Sequence, residues 1–285
     1  MKFLKVIKRL PFRVNYILKE FIRRNFTMKI TYRFPQYSPH VGGKGSKFDK
    51  ATEYNINNLP KLLSEISTSS NKVEIIKLND LTFTKETENK IVESFNRHKS
   101  DKVWQGKFEK IYSYIFDSLT PNPKNILEIG IGSKNKKYLS YMGKNEKTGA
   151  SIRAFMEIFP KANVIAADID IKLQDKLKEE SIELNFVDQM NETSVRDLFK
   201  SIDYELDLII DDGLHLESSN LLVLKHGLSK LSIGGCMVIE DIGHSALKTW
   251  LIVANLLSDN YRSQIIDRDG LGYCFLIYRH LEDNI

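Results

Sequence analysis

Two rhythms of apolar and polar positions divide the chain. Up to about residue 95 the apolar positions come in short, interrupted groups. Phe3, Ile7, Leu10, Val14, Ile17 and Phe21 recur at three- and four-residue steps with Lys and Arg between them, which is the spacing of an amphipathic helix. Pro11 lacks a backbone donor and clashes with the preceding turn, so two short helices are expected rather than one. Residues 35–49 are rich in Pro and Gly and residues 67–72 are polar, and both read as loops. The Gly-Gly-Lys-Gly-Ser run in the first of them lacks the spacing of a phosphate-binding P-loop. Residues 73–78 and 81–83 are expected as short strands, and a helix over about 87–96 closes this region.

From Lys102 onward the rhythm becomes strand, helix, strand. Apolar runs at 125–129, 163–167, 182–187, 206–210, 236–240 and 273–278 predict strands, and amphipathic stretches such as 151–159 and 195–201 predict helices between them. Strands that are apolar throughout and alternate with helices argue for an α/β fold: a doubly wound, mostly parallel sheet covered on both faces. The expected organisation is therefore a smaller N-terminal region, 1–95, and a main domain, 96–285. Ligands of such sheets bind beyond the carboxyl ends of the strands, so the polar residues just past each strand are where chemistry is to be sought.

Charge changes the picture only at the N-terminus. Residues 1–30 carry nine Lys or Arg and one acid, Glu20, whereas the remaining 33 basic and 36 acidic side chains leave a mildly acidic body. Nucleic-acid binding is not indicated for such a body. The basic arm suits peripheral contact with an anionic membrane surface, or packing of its apolar face on the body or on a second subunit of a homo-oligomer. It does not read as a signal peptide, because charges interrupt every apolar run, and no stretch approaches the ~18 apolar residues that span a bilayer. Cys236 and Cys274 sit in apolar runs and read as buried free thiols, which implies a reducing, cytoplasmic setting.

The strand ends carry the chemistry. The first ends in Glu128-Ile-Gly130-Ile-Gly132-Ser133, where glycines allow a tight turn and close approach of a ligand to the backbone. A third glycine at dinucleotide-fingerprint spacing is missing, since position 135 is Asn, and this disfavours a nicotinamide dehydrogenase. The second ends in Asp168-Ile-Asp170, an acid suited to ribose hydroxyls. The third ends in Asp188-Gln189, suited to an adenine amino group. The fourth ends in Asp211-Asp212-Gly213-Leu214-His215 and the fifth in Glu240-Asp241. A carboxylate at a buried strand end loses hydration unless something pairs with it, so five such ends point to bound ligands.

These motifs resemble class I S-adenosylmethionine-dependent methyltransferases. More narrowly, they resemble the metal-dependent sugar O-methyltransferases that modify macrolide antibiotics and the bacterial relatives labelled cephalosporin hydroxylase-like. The resemblance runs over about residues 98–280. It is carried by Ser100-Asp101-Lys102 with Tyr112 downstream, LEIGIGS (127–133), TGASIRAFMEIFPKANVIAADID (148–170), Asp188-Gln189, IIDDGLH (209–215) and GGCMVIEDI (234–242). It implies a Rossmann-like fold and methyl transfer from S-adenosyl-L-methionine to a sugar hydroxyl of a small molecule or glycan. Glu128, Gly130 and Gly132 would line the methionine part of the cofactor and Asp168 would hold its ribose. Asp188 and Gln189 would lie near the adenine, with Asp211 counted among the cofactor residues. Asp212, Glu240 and Asp241 would bind Mg²⁺, and His215 would be the general base. The lengthened, Lys-rich loop after Gly132 and Leu214, in place of a small polar residue, depart from the pattern. A methyltransferase of a protein or a small aromatic acceptor, and a catalytically silent methyltransferase-like binding module, are the alternatives. No two-histidine, one-carboxylate iron triad supports a hydroxylase. Lys99 and Lys102 flank Asp101 and read as a solvated charge cluster; Tyr112, Tyr114 and Trp104 read as core or lid aromatics, with stacking over cofactor or sugar as the rival.

Overall fold

A computed structural model describes residues 73–103, 106–135, 138, 142 and 147–280 of the chain. The amphipathic start, the loops at 35–49 and 67–72, Trp104 and most of the Lys-rich loop lie outside the described residues. Eight strands form one sheet: β1 (Glu74–Lys77), β2 (Asn125–Ile129), β3 (Asn163–Asp168), β4 (Glu183–Phe186), β5 (Leu206–Asp211), β6 (Leu231–Ile242), β7 (Tyr261–Asp267) and β8 (Tyr273–Arg279). Their order is β1-β7-β8-β6-β5-β2-β3-β4. Every neighbouring pair is parallel except the two that involve β8, which runs antiparallel to β6 and β7. The expected mostly parallel, doubly wound sheet is thus observed.

Side-chain alternation along the strands sorts the core into two layers. Ile126, Leu208, Ile210, Cys236, Val238 and Leu276 point to one face, where they meet Ile91 and Phe95 of α1 (Lys85–His98), Ile111 and Tyr112 of α2 (Phe108–Tyr114), and Ile152 and Phe155 of α3 (Ala150–Ile158). Leu177 of the short α4 (Gln174–Glu179) joins this layer. Leu127, Ile129, Ile209, Met237, Ile239 and Phe275 point the other way. They meet Val195 and Leu198 of α5 (Glu192–Ser201), Leu221 and Leu224 of α6 (Glu217–Gly227), and Trp250 and Val253 of α7 (Leu247–Leu256). Both cysteines are free and buried, as read.

Local chemistry explains several element ends. Thr84 caps α1 by accepting from Thr87 N, Glu86 and Glu88 sit in its first turn, and Lys99 closes it in the left-handed conformation. Residues 73–95, assigned above to the N-terminal region, supply an edge strand and a helix to this same sheet and core. Three expectations are corrected. Residues 81–83 are not a strand: Leu81 packs into the core and the chain turns at once to the Thr84 cap. β6 begins five residues earlier than expected, because Gly234, at φ +79°, sits within an irregularity of the strand rather than in a turn before it. β7 was not foreseen, since Arg262, Ser263 and Gln264 break its apolar run down to Ile265–Ile266. Among the described residues no helix is long and apolar enough to cross a membrane.

Candidate active site

β2 pairs with β3 on one side and β5 on the other, so the strand order reverses there, and the carboxyl ends of β2, β3, β5 and β6 open on one edge of the sheet. This is the place where a doubly wound sheet has room for a ligand. After β2 the chain turns through Gly130, at φ +87°. A Cβ there would lie 2.3 Å from the Asp212 carbonyl oxygen and 2.4 Å from Gly213 Cα. Only glycine lets the β2 and β5 turns approach this closely.

The acids of β3 divide the work. Asp168 is buried and already engaged: Oδ2 accepts from Ile131 N at 3.0 Å and Oδ1 from Asp170 N at 2.8 Å. It therefore shapes the glycine turn. Asp170 is equally buried and accepts from Ser133 Oγ, but its Oδ1 has no hydrogen-bond partner among the described residues. A buried carboxylate oxygen without a donor is costly unless a ligand supplies one. Sequence reasoning put the ribose contact on Asp168, and the open oxygen makes Asp170 a second candidate for it. The signal for Asp170 was present, as both stand at one strand end, but the choice depends on which of them the turn's N–H groups reach.

The expected adenine-side residues are tied to one another. Gln189 donates to Asp211 Oδ1 at 2.7 Å and accepts from Leu214 N at 2.8 Å, and Asn220 donates to Asp211 Oδ2 at 2.8 Å. Asp188 accepts from Met190 N at 3.0 Å. Asp211 and Gln189 thus join the β4 and β5 turns.

Asp212, His215 and Asp241 come together: one donor atom from each lies within 4.8 Å of the others, a group able to hold a cation. His215 Nε2 is 3.8 Å from Asp212 Oδ1. His215 and Asp241 both have positive φ, 53° and 52°, a conformation that side-chain-bearing residues seldom adopt and that aims both side chains at this spot. Asp241 also accepts from Arg268 at 2.6 Å, and His215 and Arg268 hold its carboxyl below the usual range against the opposing effect of burial.

Glu240 lines the same pocket but falls outside that three-residue group. One of its oxygens accepts from the Tyr112 hydroxyl and the other from Lys102 Nζ at 2.6 Å. Lys102 also donates to Asp212 Oδ2 at 2.6 Å and lies 3.5 Å from Glu128 Oε1. Its side chain is 3% exposed, so it is no member of a solvated charge cluster. Burial opposes its charge, but Asp212, Glu240 and Glu128 more than offset that and hold the ammonium well above the usual lysine range. Tyr112 is a core aromatic, packed against Phe95, Phe116 and Phe155, and also a hydrogen-bond donor to the site. Asp101, Lys102, Gly106, Phe108, Asp212, Glu240, Asp241 and Arg268 line a pocket of about 100 Å³.

Glu128 lies beneath this network, with Ser151 Oγ 2.7 Å from each carboxylate oxygen. Burial pushes its carboxyl up to about 7, against the pull of Lys102. A carboxyl with a folded pKa above its unfolded value binds more protons when folded, so its contribution to stability falls as pH rises from 4.5 to about 7. Glu128→Gln removes that titration. Urea unfolding across this range is expected to show the downward contribution in the wild type and its loss in the variant, and identical profiles would contradict the assignment.

The strand order, the glycine turn and the acids at successive strand ends define the Rossmann-like fold of class I methyltransferases. A solved structure with this fold is the MycE methyltransferase of the mycinamycin biosynthetic pathway, in complex with Mg, SAH and mycinamycin VI, at a TM-score of 0.54 and 19% identity over 68% of this chain and 56% of that one. A second crystal form of the same protein, with Mg and SAH, gives 0.53 and 20% over 68% and 54%. Among curated proteins, the 8-demethyl-8-alpha-L-rhamnosyl tetracenomycin-C 2'-O-methyltransferase of Streptomyces olivaceus is 25% identical over 169 residues, 59% of this chain and 41% of that protein. The chain therefore spans about half the length of these relatives, or less. No family model matches it.

Proposed function

We propose that the protein is an S-adenosylmethionine-dependent O-methyltransferase acting on a sugar hydroxyl of a small molecule or glycan, with Mg²⁺ and His215 as general base. The observation that carries this reading is the convergence of Asp212, His215 and Asp241 beside the glycine turn of a methyltransferase fold. The curated relative's name, a 2'-O-methyltransferase of a rhamnosyl compound, supports the sugar acceptor, and the Mg and SAH in the solved relative support the cofactors.

The glycine turn through Gly130 and Gly132 leaves backbone room for the donor, and the open oxygen of Asp170 would be available to the donor's ribose hydroxyls. Asp212 and Asp241, with oxygen donors only, would hold a hard divalent cation such as Mg²⁺. A cation there supplies Lewis-acid charge that favours loss of the acceptor's hydroxyl proton. His215 takes that proton while the acceptor oxygen forms its bond to the methyl carbon, and the electron pair of the breaking carbon–sulfur bond stays on sulfur. Imidazole, with one acceptor nitrogen when neutral, is suited to the task. Arg268 holds Asp241 in place and Lys102 holds Asp212.

The test is transfer of labelled methyl from S-adenosylmethionine to a panel of glycosides. Label on a sugar oxygen, lost in EDTA and restored by Mg²⁺, is the expected result. Methylation of catechols or protein carboxyls with no sugar product would contradict the acceptor class, and full activity in EDTA would contradict the cation.

A further inference from the structure

The resemblance assigns Glu240 to the metal together with Asp212 and Asp241, yet here Glu240 is occupied from both sides. Tyr112 donates to one of its oxygens and Lys102 Nζ sits 2.6 Å from the other. The same ammonium stands 2.6 Å from Asp212 Oδ2, which leaves Asp212 Oδ1 on the side of His215. Lys102 is buried and cannot swing into solvent without breaking three ion pairs at once. Of the side chains lining the pocket, four are acids, Asp101, Asp212, Glu240 and Asp241, against two cations, Lys102 and Arg268. Such an excess of negative charge attracts a cation, and a lysine placed inside it weakens that attraction by its own charge.

We propose that Lys102 is a resident cation of this site: it withholds Glu240 from a divalent ion, restricts the ion's carboxylate ligands to Asp212 and Asp241, and sets how tightly the ion is held. The inference rests on the cation role argued above and adds to it a positioning residue. Lys102 touches Glu128 on the cofactor side and Asp212 and Glu240 on the acceptor side, so one ammonium fixes the spacing between the two halves of the site.

The distinguishing readout is ion affinity, which a merely structural lysine would not raise on removal. Mn²⁺ binding to the full chain is followed by the electron paramagnetic resonance signal of the free ion, for wild type, Lys102→Met and Glu240→Gln. Lys102→Met removes a positive charge beside the ion and frees Glu240, so it is expected to bind Mn²⁺ roughly tenfold or more tightly than wild type. Glu240→Gln keeps the shape, and its amide oxygen can accept from Lys102 while its amide N–H donates to the Tyr112 oxygen, so its Mn²⁺ affinity is expected to stay within about threefold of wild type. Unchanged or weaker binding by Lys102→Met overturns the proposal. A larger loss in Glu240→Gln also overturns it, because Glu240 would then ligate the ion despite Lys102, and this arm decides alone if Lys102→Met fails to fold. S-adenosylhomocysteine is titrated into the same samples. Failure of the Mn²⁺ pattern with S-adenosylhomocysteine binding intact overturns the role of Lys102 and leaves the methyltransferase reading standing.

Discussion

His215→Ala and Asp212→Asn are each expected to lower methyl transfer by at least ~10²-fold while the protein still binds S-adenosylhomocysteine. Under the proposed function the acceptor is a sugar hydroxyl, almost wholly protonated at neutral pH, and His215 is the group proposed to take its proton. Its positive φ holds it 3.8 Å from Asp212 Oδ1, just past the end of β5. Asp212 lies at the junction of the network, joined to Lys102 through one oxygen and facing His215 with the other. Asparagine keeps the shape but replaces a charged acceptor with an amide, so Lys102 loses a counter-ion and a cation loses a ligand. If these acids only shaped turns, both variants would retain near-normal rates. Single-turnover rates beside calorimetric affinities separate the two outcomes.

Gly130→Ala is expected to cost about 3 kcal/mol of stability, from the left-handed backbone and from overpacking together. The φ of +87° is strained for any L side chain, and the new Cβ meets backbone rather than a movable side chain, Asp212 O at 2.3 Å and Gly213 Cα at 2.4 Å. Relief requires the β2 and β5 turns to part, which also displaces Asp212. Loss of both thermal stability and cofactor affinity is therefore the expected pair of results. A variant as stable as wild type would show that the two turns are not in the contact described. Gly132 offers a contrast: a Cβ there meets the side chain of Met142, which can shift, so the obstruction is smaller although its backbone is also strained.

What the sequence showed of this architecture depended on how fully each element is buried. β2, β3 and β5 are covered on both faces and read directly as apolar runs ending in acids. β7, with Arg262, Ser263 and Gln264 in its first half, carried too weak a pattern to be separated from a loop. The site divided in the same way. That acids cluster at the carboxyl ends was legible, because a strand end is a local feature. Which acid does what was not, because that depends on partners far along the chain. Lys102 meets Glu240 across 138 positions, and nothing near residue 102 distinguishes it from the many lysines that stay in solvent. Asp168 and Asp170 are two residues apart, and only the Ile131 N–H, brought in by the glycine turn, decides which is already engaged.

The central claim, that the edge of the sheet between the β2 and β3 ends is a nucleoside site for a sulfonium methyl donor, is tested most directly by calorimetric titration with S-adenosylhomocysteine and, in parallel, with NAD. The account predicts saturable binding of S-adenosylhomocysteine by the wild type, no heat with NAD, and at least ~10-fold weaker binding by Asp170→Ala, whose open carboxylate oxygen is the expected ribose contact. Binding of NAD without S-adenosylhomocysteine, or undiminished S-adenosylhomocysteine binding by Asp170→Ala, would contradict it.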